Sequence, residues 1–161
     1  MAFIHLHVHS PFSFLDGAST ISSLVQQAAA FEAPALAITD HNNVSAAVRF
    51  YKTAMAAGIK PIQGAELTLE NGHHLVCLAE NPAGYANLCQ LLTIAYQYGD
   101  RLNPRLPFQA LARYHKDLIF LSGCRRGEIP SLVLQGDFNA ARIAANRYME
   151  ICGRDNFYLE L

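Results

Sequence analysis

Short apolar segments alternate along this chain with segments of helical periodicity, and this pattern leaves few possible architectures. We predict strands over 3–9, 35–39, 59–65, 74–79, 118–122 and 156–161. The predicted helices cover 19–31, 46–55, 85–98 and 140–152. Strands separated by helices favour parallel pairing through right-handed crossovers, so we expect an α/β fold. In such folds, reactive side chains collect at the ends of the strands.

The first predicted strand carries three histidines. Strict alternation over 3–9 places His5, His7 and His9 on one face and apolar side chains on the other. His7 and His9 would lie roughly 6–7 Å apart at the backbone, so both rings can reach one metal ion. A lone histidine is more often hydrogen-bonded core than a ligand. His5 lies deeper in the strand, where we expect it beside the ligands.

Further potential ligands lie in the first loop or at the ends of other strands. They are Asp16, Asp40, His41, Glu66, His74 and Cys124. Separate core histidines have no reason to share one rim of a sheet, so the set as a whole favours a metal centre. The role of Cys124 stays open between a soft metal ligand and a small buried side chain.

The mixture of donors indicates a reaction class. Imidazole together with carboxylate suits zinc, manganese or iron. Two such ions stabilise both the attacking and the leaving oxygen of a phosphoryl displacement, so we predict phosphate-ester hydrolysis. Glu66 would bridge two ions, and Arg125 or Arg126 would hold the phosphate, although a solvent-facing role for these arginines stays open.

Composition restricts size, partners and location. The 161 residues correspond to one domain, and 52% hydrophobic residues are enough for a folded core. A net charge of −1 without a long basic run argues against duplex binding through charge alone. No apolar run reaches the roughly 20 residues of a membrane span and no signal-peptide pattern opens the chain, so we expect a cytoplasmic protein. The four cysteines lack CxxC spacing and are expected to be reduced thiols.

Six motifs along the chain occur together in one order. They are HLHVHSPFSFLDG at 5–17, AITDH at 37–41, GIKPIQGAE at 58–66, HL at 74–75, GYANL at 84–88 and LSGCRRGEIP at 121–130. This series resembles the PHP (polymerase and histidinol phosphatase) domain at the N-terminus of bacterial DNA polymerase III alpha subunits. The last motif, together with GRDNFYLEL at 153–161, is similar to the error-prone branch of that family.

This resemblance implies a PHP-type distorted (βα)7 barrel with up to three divalent metal ions and phosphoesterase or 3′–5′ exonuclease activity. The ligands carried over by motif are His7, His9, Asp16, His41, Glu66, His74 and Cys124. The family's last motif, Asp-x-His, would lie beyond Leu161. We therefore expect 1–161 to be an N-terminal fragment of a longer polymerase chain, with an incomplete barrel of about five or six parallel strands.

The same resemblance implies partners. They are the rest of the polymerase chain, a proofreading exonuclease subunit, and a DNA 3′ end or a small phosphate ester as substrate, without a membrane partner. An exposed edge strand would also allow dimer formation.

Two alternatives stay open. One is a non-catalytic structural or docking domain with an architectural metal, which would bind the proofreading subunit. The other is an amidohydrolase-type barrel, which shares the opening HxH pair. It would need a longer chain and a metal-bridging lysine, and Lys60 is the only lysine within a predicted strand.

Overall fold

The computed structural model describes residues 3–161 and builds one sheet flanked by helices. The strands are β1 Ala35–Ile38, β2 Lys60–Thr68, β3 His74–Ala79, β4 Leu118–Leu121 and β5 Phe157–Tyr158. The helices are α1 Ile21–Ala30, α2 Ala47–Ala56, α3 Pro82–Tyr98, α4 Phe108–Tyr114, α5 Glu128–Leu134 and α6 Phe138–Cys152, followed by a 3₁₀ turn at Arg154–Asn156. The predicted α/β class is confirmed, whereas α4 and α5 were not predicted.

Strand direction differs in part from the prediction. The order is β1-β2-β3-β4-β5, with parallel pairing for β1 with β2 and for β4 with β5. The expectation of parallel pairing is wrong for β3, which is antiparallel to both β2 and β4. The cause is the turn at 69–73, which joins β2 directly to β3. A parallel connection needs a crossover of about a dozen residues or more.

The predicted first strand is extended but irregular. Ala37 N donates to His5 O (3.0 Å) and Thr39 N donates to Val8 O (2.8 Å), so the first segment has one residue more than β1 between these bonds. An extra residue of this kind breaks strict alternation. Leu6 and Val8 accordingly pack into two different hydrophobic clusters. The prediction that they share a face is wrong.

Two large hydrophobic clusters hold the helices against the sheet. Buried side chains of β2, β3 and β4 pack against α3, α4 and α6 in the larger cluster, while α1 and α2 pack against β1 in the other. A small third cluster of Ala37, Val76, Leu78 and Leu121 lies apart from these two. Because side chains alternate along β3, His74 shares the face of Val76 and Leu78.

Local capping explains two helix starts. The side chain of Thr20 accepts a hydrogen bond from Ser23 N at the start of α1, so the helix cap lies one residue after the start of the predicted helix at 19. Asn81 accepts from the backbone at the start of α3, where Pro82 occupies the first turn. Within the described residues, no helix combines the length and apolar character needed to cross a membrane.

Candidate metal centre

All seven residues predicted as metal ligands line one open cavity of about 600 Å³. They are His7, His9, Asp16, His41, Glu66, His74 and Cys124. The remaining walls are formed by Phe14, Leu15 and Arg126.

Glu66 on β2 is the centre of this cavity. Its side chain is 1% exposed, and its two oxygens lie 2.8 Å from His41 Nδ1 and 2.9 Å from His74 Nδ1. The Nε2 atoms of His9 and His7 lie 3.4 and 3.5 Å away. Burial opposes ionisation of Glu66, but the contacts with His41, His7 and His74 hold its pKa well below the usual range. The carboxylate is therefore ionised and surrounded by nitrogen donors.

His7 and His9 meet edge to edge, with 3.1 Å between their Nε2 atoms. Burial would lower the pKa of His7, but hydrogen bonds to Glu160 and Glu66 outweigh it and raise that pKa from 6.5 to about 9. Burial, and then the neighbouring His41, lower the pKa of His9. Near neutral pH and without a metal ion, His7 therefore carries a proton on both ring nitrogens, and its Nε2–H faces the unprotonated Nε2 of His9.

His41 lies between Asp16 of the first loop and the buried carboxylate of Glu66. Its Nδ1 faces Glu66 and its Nε2 lies 2.9 Å from Asp16 Oδ2. The contact with Glu66 raises the pKa of His41, and burial opposes this rise. Asp16 Oδ2 also lies 3.9 Å from His9 Nδ1, which makes this half-exposed carboxylate the outer edge of the cluster.

The partly buried thiol of Cys124 contacts the same carboxylate. Its Sγ lies 3.6 Å from Glu66 Oε1. Burial and the charge of Glu66 raise the pKa of Cys124. All four cysteines are free, in agreement with the expected reduced thiols.

Asp40 has a different position from the other oxygen donors. It is 1% exposed and accepts hydrogen bonds from Ser10 N (2.7 Å), Ser10 Oγ (2.6 Å) and Ser13 Oγ (2.7 Å). The loop closes at position 17, where only glycine fits because a Cβ there would lie 1.9 Å from Ser10 O. The interpretation of Asp40 as a direct donor is therefore wrong. Its carboxylate anchors the loop that carries Asp16.

Several polar residues of the sequence lie elsewhere. Arg125 and Arg126 are both exposed, and of the two only Arg126 lines the cavity. His5 stacks edge to face on Phe3 in a separate pocket and is not beside the ligands, because of the extra residue in the first segment. His115 hydrogen-bonds the backbone of α4, also outside the cavity.

Among residues 3–161, sequence reasoning missed Glu160 beside the ligands, as well as Phe14 and Leu15 in the cavity walls. Glu160 accepts a hydrogen bond from His7 Nδ1 at 2.7 Å, and its second oxygen is buried without a hydrogen-bond partner. It follows β5 near the end of the chain, 153 positions from His7. Its place inside the predicted strand at 156–161 gave no signal of a role in the site.

The donors form three overlapping groups of three residues. Within each group, the ligand atoms lie within 4.8 Å of one another. These groups are His7, His9 and Glu66; His9, Asp16 and His41; and His41, Glu66 and His74. Glu66 Oε2 and His74 Nδ1 are buried and lack a hydrogen bond of good geometry, despite their short contact distances. Buried donors without such bonds are costly unless a cation satisfies them. The residues thus fit zinc, manganese or iron.

The PHP domain model matches residues 5–161. The chain is 55% identical to an error-prone DNA polymerase of Symbiobacterium thermophilum, covering 100% of this chain and 16% of the relative. It is 40% identical to the DNA polymerase III subunit alpha of Treponema pallidum, covering 100% of this chain and 15% of that protein.

A solved amidohydrolase from Chromobacterium violaceum with bound sulfate and no metal is similar in fold. Its TM-score is 0.50 at 26% identity, covering 89% of this chain and 50% of the other.

The two polymerase relatives match this chain along its whole length, but the chain spans only a small part of theirs.

Proposed function

Because the chain belongs to the PHP domain family, we propose that it acts as the metal-dependent phosphoesterase domain of a longer DNA polymerase III alpha chain. The relatives support the larger context, since each is a polymerase much longer than this chain. The chemistry is argued from the cavity itself.

One observation carries the proposal. The buried carboxylate of Glu66 is surrounded by four histidine nitrogens at 2.8–3.5 Å, and Glu66 Oε2 makes no hydrogen bond of good geometry despite its 2.8 Å contact with His41 Nδ1. A structural polar network would satisfy its members with hydrogen bonds, because an unpaired buried group costs about 1–3 kcal/mol. A site that holds cations instead needs lone pairs directed at a common point.

Each residue of the cluster has a distinct task. Glu66 belongs to two of the three donor groups, so its two oxygens can bridge neighbouring ions. Divalent ions bound here would supply an activated water and stabilise charge on the phosphoryl group. Cys124 can add a soft donor beside Glu66. We assign to Asp16 the outer ion, because it is the most exposed of the donors in these groups.

The walls of the cavity suit a nucleoside phosphate ester. Arg126 lines the cavity and can hold a phosphate oxygen, whereas Arg125 lies outside it. Phe14 and Leu15 are 82% and 109% exposed beside the ligands, and an aromatic ring offers a stacking surface for a base. We therefore favour a DNA 3′ end over a small ester without an aromatic group.

The partner predictions concern residues beyond the cavity. β5 forms one end of the sheet order, with Tyr158 and Leu159 exposed, and continuation of the chain or a second copy would cover them. Dimer formation and binding of a proofreading subunit stay predictions.

The first experiment measures metal content by elemental analysis of protein purified without chelator. We expect one to three equivalents of zinc, manganese or iron, and a loss in His9→Ala, because His9 belongs to two donor groups. The matched control is His115→Ala, which removes a histidine outside the cavity. Absence of metal from the unaltered chain would refute the proposal.

Hydrolysis of thymidine 5′-(p-nitrophenyl phosphate) then tests the reaction. Cleavage should be abolished in His9→Ala and Glu66→Gln and retained in His115→Ala. Loss of metal and of thermal stability in these variants, with no cleavage by the metal-loaded chain, would instead favour the structural or docking alternative.

A further inference from the structure

The contact between His7 and Glu160 joins the beginning of the described chain to its end. Glu160 reaches His7 because its segment is held on β4: Ser122 N donates to Tyr158 O (2.9 Å) and Glu160 N donates to Ser122 Oγ (2.9 Å). Ser122 is itself 3% exposed. The carboxylate of Glu160 is therefore held in place by backbone and side-chain bonds.

This contact determines which nitrogen of His7 carries the proton. A carboxylate only accepts hydrogen bonds, so the 2.7 Å contact places the proton of neutral His7 on Nδ1. The lone pair of His7 then lies on Nε2, which faces His9 Nε2 at 3.1 Å and Glu66 Oε1 at 3.5 Å.

His9 is oriented in the same way through a different set of groups. Ser13 Oγ has a single proton, which it donates to Asp40 Oδ1 at 2.7 Å. The hydroxyl must therefore accept from His9 Nδ1 at 2.8 Å. The lone pair of neutral His9 also lies on Nε2. Two lone pairs 3.1 Å apart, beside a carboxylate, repel one another unless a proton or a metal ion lies between them.

We propose that Glu160 is a positioning residue that holds the His7 ring, with its proton on Nδ1, so that Nε2 faces the ion of the group His7, His9 and Glu66. This inference rests on the proposed function. Carboxylates that accept the second N–H of a ligating histidine fix its tautomer and orientation. The orientation of His7 in this donor group then depends on docking of the chain end against Ser122, directly after β4. That docking brings Glu160 to His7.

Three variants of the full chain test this role. Glu160→Leu removes the acceptor, and Glu160→Gln keeps an acceptor oxygen without the charge. Glu150→Gln removes an exposed carboxylate on α6 as a control. Zinc affinity is measured by competition with a chelator, and the His7 tautomer by ¹⁵N NMR of the metal-free chain at pH 10.

We expect Glu160→Leu to lower zinc affinity about 10–100-fold, the usual effect of losing such a partner. Glu160→Gln should lose less, and Glu150→Gln should match the unaltered chain. His7 should carry its proton on Nδ1 in the unaltered chain and in Glu160→Gln, and on Nε2, as in free histidine, in Glu160→Leu. Melting curves of the metal-free variants check folding, and Glu160→Gln supplies the comparison if Glu160→Leu does not fold.

Unchanged zinc affinity in Glu160→Leu, or an Nε2 proton on His7 in the unaltered chain, would overturn the inference. The tautomer is measured without metal, so it separates the two proposals. If the unaltered chain binds no zinc and yet shows the Nδ1 proton, the proposed function fails while the hydrogen-bonding role of Glu160 stands.

Discussion

The sharing of Glu66 between two donor groups leads to a quantitative prediction about metal-dependent stability. Glu66→Gln alters two of the three groups, whereas Asp16→Asn alters one. An ion at 100 times its Kd stabilises the folded state by about 2.7 kcal/mol. For a chain of this size, about 1 kcal/mol shifts Tm by roughly 2–4 °C. Each occupied group should therefore raise Tm by roughly 5–11 °C.

The assay compares Tm with saturating zinc and with chelator for each variant, so that effects on the metal-free fold cancel. Glu66→Gln should lose about twice as much of the zinc-dependent increment as Asp16→Asn, because two groups are lost instead of one. Glu150→Gln, an exposed carboxylate on α6, serves as the control. An equal loss in both variants, or a larger loss in Asp16→Asn, would refute the idea that Glu66 is the shared ligand.

Three further predictions concern the phosphate, alkaline pH and the core. Arg126→Ala should raise KM for the nucleoside phosphate ester by about tenfold or more and Arg125→Ala should not, since only Arg126 lines the cavity; similar kinetics for both would contradict this. Burial raises the pKa of Cys152 from 9.0 to about 12, so its contribution to stability is complete below pH 9 and is lost as the pH rises toward 12. Buried Cys77, whose pKa is also raised, contributes to the same alkaline loss. Above pH 9, urea unfolding should therefore show a loss about 1.4 kcal/mol per pH unit smaller in Cys152→Ala than in the unaltered chain, and parallel losses would count against it. Phe50→Ala, at a fully buried position, should cost about 3–5 kcal/mol in the free energy of unfolding, whereas exposed Phe31→Ala should stay within about 0.5 kcal/mol; similar costs would show that burial does not decide the outcome.

Much of the candidate site was predictable because it depends on local patterns. The sequence pattern places Glu66 and His74 at the ends of predicted strands. The antiparallel register of β2 with β3, which was not predicted, then aligns Glu66 with Val76, two residues from His74. The assignment of these side chains as metal ligands stays a prediction, although the cavity brings all of them together.

The errors arose where a local pattern competed with pairing between distant segments. The alternation over 3–9 is regular in the sequence, yet pairing with β1 accommodates an extra residue and separates His5 from His7 and His9. The short turn after β2 reverses β3, although helical segments elsewhere favoured parallel pairing. Asp40 beside His41 has the composition of a ligand, but Ser10 and Ser13 bond it inside the loop.

By itself, the sequence determined the α/β class and the residue types that surround the cavity, because strand parity and helix periodicity are properties of neighbouring residues. Only the tertiary structure decided the direction of β3, the hydrogen-bond partners of His7 and His9, and the presence of Glu160 in the site. These features require contacts between segments as distant as His7 and Glu160, 153 positions apart. No local pattern specifies such contacts, because they form only when the sheet aligns its strands.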